Sequence, residues 1–130
     1  MAKVTCQPKG RRVAAIRRGD IYLVSFDPTV GHEIKKTRPA LVIQNDVGNR
    51  FGQVTIVAAV TSKLSPVHYP VEVQIAPTTT NGLDVRSAIR LDQIRTIDRQ
   101  RLVKRLGAAD PATIAKVDDA IRISLGLVEF

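Results

Sequence analysis

One cysteine, Cys6, stands in 130 residues, which excludes an internal disulfide and leaves no thiol pair for a metal site. A lone thiol suits a reducing, cytoplasmic setting. Tryptophan is absent, and two tyrosines and three phenylalanines are the only other aromatics. A core must then be built from Val, Ile, Leu and Ala, and few rings remain for stacking bases. This weighs against a general single-strand binder that rests on aromatic platforms. Long apolar runs are missing too. The longest uncharged stretch, Phe51 to Ser62, is too short to cross a bilayer, and the basic start lacks the apolar centre of a signal peptide, so no membrane partner is expected. Glycines never cluster ahead of Lys-Ser/Thr, so there is no phosphate-cradling loop. The two histidines, His32 and His68, have no cysteine nearby and no HExxH spacing, which argues against zinc. Among the carboxylates only Asp118 and Asp119 are adjacent, and on a helix such a pair reads as a solvated face. No metal and no other cofactor is expected.

What is present is an apolar fraction of 44%, enough for the core of one domain, and a net charge of +8. The charge predicts attraction to a polyanion. Six of the basic side chains (Lys3, Lys9, Arg11, Arg12, Arg17 and Arg18) fall in the first 18 residues without an acidic neighbour, leaving fourteen against twelve elsewhere. Residues 1–16 read as a basic, linker-like tail, either a solubilising extension or a nucleic-acid contact. Residues 17–130 read as the folded domain.

Within that domain β-rich runs follow one another. Asp20 to Phe26 is closed by Pro28. Pro39 to Asn45 and Gln53 to Thr61 are near-continuous apolar stretches, as in strands buried on both faces. Val71 to Ile75 alternates apolar and polar residues. Asn81-Gly82 supplies a turn tolerant of positive φ before another alternating run, Ser87 to Ile97. Short connections between such strands predict an antiparallel sheet curled into a small barrel. The last third changes period. Asp98 is expected to open a short helix that Gly107 ends. Asp110-Pro111 is a strong helix start, and Ile114, Val117, Ile121 and Leu125 form one stripe that packs the helix on the sheet. The fold class is thus α+β, mostly β.

Chemistry concentrates in the loop Gly31-His-Glu-Ile-Lys-Lys-Thr-Arg-Pro39, which gathers an imidazole, a carboxylate and three cations at a strand mouth. Arg38 is held by Pro39 at the strand start, and its guanidinium matches a phosphate bidentately. On the residues alone a solvated turn remains open as the alternative. Four ordered motifs add to this: Arg18-Gly-Asp-Ile-Tyr22, Gly31 to Asp46, Val60-Thr-Ser62 and Gln93-Ile-Arg-Thr-Ile-Asp98. With them, residues 17–130 clearly resemble the MazF/PemK (Kid) family of toxin endoribonucleases. The resemblance implies an SH3-like, CcdB/PemK-like barrel with appended helices, a homodimer, and metal-independent cleavage of single-stranded RNA. Its products would be a 2′,3′-cyclic phosphate and a 5′-OH, and mRNA cleavage would arrest translation and growth. It also implies a small acidic antitoxin as cognate partner, with DNA engaged only indirectly through the antitoxin complex.

Residue by residue, the family's catalytic Arg and Thr fall on Arg38 and Thr61, its loop Glu on Glu33, and a Gln that helps hold RNA on Gln93. Arg38 suits stabilisation of the phosphorane and is a poor general base. Glu33 reads either as that base or as an orienting group. His32 departs from the small polar residue of the family pattern and is read as an RNA contact. Lys35, Lys36 and Lys63 are candidates for holding phosphates, and Asp92 with Gln93 for reading base edges. A barrel toxin that inhibits DNA gyrase without cutting RNA, and an RNA-binding module without cleavage, are the competing readings.

Overall fold

The computed structural model describes residues 15–28, 30–33, 36–67 and 69–129. Most of the segment read as a tail, together with Lys35, lies outside the described residues; Ile16 is within them and is buried. Six strands form one antiparallel sheet: β1 (Asp20–Ser25), β2 (Thr37–Val42), β3 (Val54–Thr61), β4 (Glu72–Ile75), β5 (Ser87–Asp98) and β6 (Leu102–Ala108), in spatial order β4-β5-β3-β2-β1-β6. Two α-helices, α1 (Asp46–Phe51) and α2 (Pro111–Ser124), and a 3-10 turn, Arg99–Arg101, complete the described elements.

The near-continuous apolar runs are central strands with a core on each side, because successive side chains alternate between faces. Ile21, Leu41, Ala58 and Val60 join β4, Leu91 and the α2 residues Val117 and Ala120 in one core. Their neighbours Tyr22, Val24, Ala40, Val42, Val57 and Ala59 build the second with Ile16, Phe26 and Ile97. β5 serves both layers. Its pairing with β3 jumps from Ala58↔Ile94 to Ala59↔Arg90, so Leu91, Asp92 and Gln93 form a bulge where the strand changes direction.

Three expectations need correction. The helix after Asp98 is only a 3-10 turn, Arg99–Arg101, and the chain continues as β6. β1 leaves an edge beyond β2, and β6 satisfies it in the register Asp20↔Ala108 to Val24↔Leu102. Pairing of exposed backbone overrides the helical pattern. Gly107 is therefore no helix cap; a Cβ there would stand 2.2 Å from the Thr80 carbonyl oxygen. Second, the barrel is not closed by a ladder between β4 and β6. The 76–86 loop fills that gap: Ala108 donates its N–H to the Thr80 oxygen at 2.9 Å, and Gly82, at φ +70°, packs on the Leu106 backbone. Buried Asn81 organises the loop, accepting from the N–H groups of Thr78 and Leu83 and donating to the Ala76 carbonyl. Third, Leu125 leaves the apolar stripe. It caps α2 and is 59% exposed, while Gly126 at φ +75° ends the helix with bonds from Gly126 to Ile123 and from Leu127 to Arg122.

α1 lies between two predicted strands, where the sequence predicted no element. Asn45 caps it by accepting from the Gly48 N–H, and the buried Asn49 side chain binds Gln44, Asp46 and Thr55. The start of α2 is as expected, with the Asp110 carboxylate accepting from the Thr113 N–H at 2.8 Å.

Candidate active site

β2 begins with Thr37 and Arg38, opposite Ser25 and Val24 of β1. On its other side Ala40 pairs with Ala59 of β3. The β2–β3 pairing ends there, and Arg38 and Thr61 each lie two residues further on; strand alternation assigns both to the face of Ala40 and Ala59. Two motifs more than twenty residues apart in the sequence thus meet at one end of the sheet. Arg38 is half-buried, and Thr61 is buried at the last position of β3. The Thr61 hydroxyl oxygen accepts the Lys63 N–H at 3.1 Å, which fixes the oxygen and leaves its own proton to donate.

The loop between β1 and β2 is anchored at its base. Phe26 donates its N–H to the Lys36 carbonyl at 3.0 Å, and the Asp27 carboxylate accepts the Lys36 N–H at 2.9 Å. These two bonds hold Lys36 in the left-handed region, at φ 66°, directly before the strand that carries Arg38. From the far end of β5, Arg95 donates to the Phe26 carbonyl at 2.6 Å and lies 5.9 Å from the Phe26 ring centroid. Arg101 binds the carbonyls of Ser25 and Asp27 at 3.0 and 2.6 Å. Neither arginine stood out in the sequence, because nothing in their spacing shows that β5 and the 3-10 turn fold back beneath this loop. At its tip Glu33 accepts the Val30 N–H at 2.7 Å, so the carboxylate fixes the local turn. His32, Glu33 and Lys36 are exposed there, and Lys63 is exposed beyond Thr61.

Asp92 and Gln93 sit in the β5 bulge. Asp92 is engaged by both the Nε and Nη2 groups of Arg90, at 2.9 and 2.7 Å, and Gln93 is half-buried. Arg90 was passed over in the sequence, where it reads as one more polar residue of an alternating strand.

The opening Arg-Gly-Asp proves architectural. Arg18 donates through Nε to the Ile43 carbonyl and through Nη2 to Asp118, both at 2.8 Å, and its N–H bonds Asp46 at 2.7 Å. Buried Asp20 accepts from the Arg17 N–H and pairs with Arg105. The motif fastens the start of β1 to the β2–α1 junction and to α2, away from Arg38.

Comparison with known proteins identifies the family. Residues 17–125 match the family model described as PemK-like, MazF-like toxin of type II toxin-antitoxin system. "Endoribonuclease EndoA" of Bacillus subtilis (strain 168) is 44% identical over 115 residues, which cover 88% of this chain and 98% of the Bacillus protein. "Endoribonuclease MazF" of Staphylococcus epidermidis is 42% identical over 115 residues, covering 88% and 95% of the two chains. The MazE–MazF assembly of Deinococcus radiodurans contains a chain that is 28% identical and superposes with a TM-score of 0.68, covering 88% of this chain and 98% of its own. Matched over residues 17–125 by the family model and over 115 residues by the Bacillus protein, this chain belongs to the PemK-like, MazF-like toxins of type II toxin-antitoxin systems.

Proposed function

We propose that this toxin endoribonuclease cuts single-stranded RNA by directing a ribose 2′-OH at the adjacent phosphorus, with Arg38 as the phosphate clamp. The observation that supports the reading is that Arg38 and Thr61 each lie two residues beyond the last β2–β3 pair, Ala40↔Ala59, at the same end of the sheet. The 2′-OH gives up its proton as its oxygen bonds to phosphorus, the bond to the 5′-oxygen breaks, and that oxygen takes up a proton, so the products are a 2′,3′-cyclic phosphate and a 5′-OH. Negative charge builds on the non-bridging oxygens in between. Arg38 meets it with a permanent cation and parallel donors, and Thr61 adds a neutral hydrogen bond. Glu33 is a positioning residue whose carboxylate shapes the loop through Val30. His32, Lys36, Lys63, Asp92 and Gln93 contact the RNA around the cut.

The functional unit is a homodimer in the cytoplasm, and an acidic antitoxin segment neutralises it by competing for the same basic groups. The family's description as toxins of toxin-antitoxin systems and the MazE–MazF assembly support such a partner.

Purified protein incubated with RNA in EDTA should give discrete cuts at one short motif, each with a 5′-OH end. Arg38→Ala should lower the rate by about 10²-fold or more while leaving the fold intact. Near wild-type cutting by that variant would sink the assignment. Intact RNA together with inhibited DNA supercoiling would favour a gyrase inhibitor instead. Glu33→Gln should slow cleavage and keep the acid limb of the pH profile; disappearance of that limb would make Glu33 the base.

A further inference from the structure

We propose that Arg90, Asp92 and Tyr69 form a guanine-reading subsite beside the cleavage centre, a specificity element that rests on the endoribonuclease reading above. Arg90 pairs with Ala59 of β3 and with Glu72 of β4, and it stands two residues from Ala88, the partner of Thr61. It is therefore a diagonal neighbour of Thr61, about 7–8 Å away and within reach of the nucleotide flanking the scissile phosphate.

Asp92 takes up the Nε/Nη2 edge of the guanidinium through its two bonds. The remaining edge, Nη1 with the second Nη2 proton, offers two parallel donors. That pattern matches O6 and N7 of guanine. The guanidinium lies 5.8 Å from the Tyr69 ring centroid, and Tyr69 is 41% exposed. The ring is near enough that the face of a guanine held by Arg90 can pack against it.

Charge separates a base from a phosphate here. Asp92 and Glu72 both face Arg90, so the three groups together carry one negative charge. Glu72 is buried and holds the Ser65 hydroxyl at 2.9 Å, which ties the loop after Thr61 to the same cluster. A phosphate is repelled by this set, whereas a neutral base edge is not. Arg38 and Arg90 thus divide the work: the first grips the backbone, the second reads a base.

The test is cleavage of a randomised RNA pool in EDTA with every new 5′-OH end mapped. Wild-type protein should show guanine at one position next to the cut, and 7-deazaguanosine there, which lacks the N7 acceptor, should lower kcat/KM about tenfold. Arg90→Leu should lose the preference at that position alone and should no longer distinguish guanosine from 7-deazaguanosine. Tyr69→Ala, at a partly exposed ring, should relax the same position and covers the case in which Arg90→Leu fails to fold. A motif without guanine, or a guanine preference that survives in a folded Arg90→Leu or Tyr69→Ala protein, overturns the subsite. A uniform, salt-sensitive slowing with the motif unchanged marks a phosphate contact and overturns it equally. Wild-type protein that cuts no RNA overturns the endoribonuclease reading itself, a result separate from all of these.

Discussion

Thr61 shows how much one side chain is asked to do at the end of β3. Its oxygen anchors the Lys63 N–H, and under the proposed mechanism its proton is the one donated to the phosphate. Thr61→Val keeps the shape and removes both bonds. Cleavage should fall by about 10²-fold, the usual cost of losing one donor to a developing oxyanion, while Thr61→Ser retains most of it. Single-turnover kinetics of the two variants side by side would check this, and equal rates would remove Thr61 from the mechanism. Two carboxylates report on the fold rather than the chemistry. Asp46 is held below the ordinary aspartate value of 3.8 chiefly by the Arg18 N–H, and Asp110 chiefly by the Thr113 N–H. Each pKa is depressed in the folded chain, so their stabilisation is complete above that ordinary value. It is lost as pH falls through the lower folded-state one. Melting temperatures should decline below about pH 4, and the gap between wild type and Asp110→Ala should close as the pH falls through the depressed folded-state value. A gap that persists in acid would mean the cap does not act through its charge.

Among the elements, those whose pattern is local were legible in the sequence. α2 begins at Asp110-Pro111 as its cap chemistry dictates, and β1, β3, β4 and β5 lie within a residue or so of their β-rich runs. Those set by a distant partner were not. The run after Asp98 carries a helical pattern, yet it becomes β6 because β1 needs a second neighbour. α1 has six residues, too few to show a period. Leu125 has the right spacing for the stripe, but the helix ends at Ser124 and Leu125 caps it, followed by Gly126 at positive φ. The seam between β6 and the 76–86 loop gives the sharpest test. Gly82→Ala would bring a Cβ to 2.0 Å from the Leu106 oxygen at a φ that favours glycine. A loss of about 2–4 kcal/mol is expected from the overlap and the backbone strain together. Gly31→Ala, where a Cβ meets nothing within 4 Å, should cost only the strain, about 1–2 kcal/mol. Chemical denaturation of the pair would check the seam; equal losses would mean it does not hold the sheet together.

At the scale of the whole molecule the sheet carries a core on each face, and the Arg18 cluster ties its layers to α2. Arg18→Ala should lower stability by about 1–2 kcal/mol through lost hydrogen bonds to charged and backbone groups. RNA cleavage at low temperature should persist, since these contacts lie away from Arg38; selective loss of activity without loss of stability would instead make Arg18 a substrate contact. The sequence by itself determined the composition of the cores, the β-rich class, the terminal helix and the four motifs, because those rest on side-chain type and local spacing. It also singled out Arg38 and Thr61, through the company they keep. Only the tertiary structure decided that the two share one face, that Glu33 shapes its own loop, and that Asp92 comes already paired with Arg90 over Tyr69. Cross-strand register and the folding back of β5 bring these groups together, and both are set by which backbone edges find partners, a property of the whole sheet.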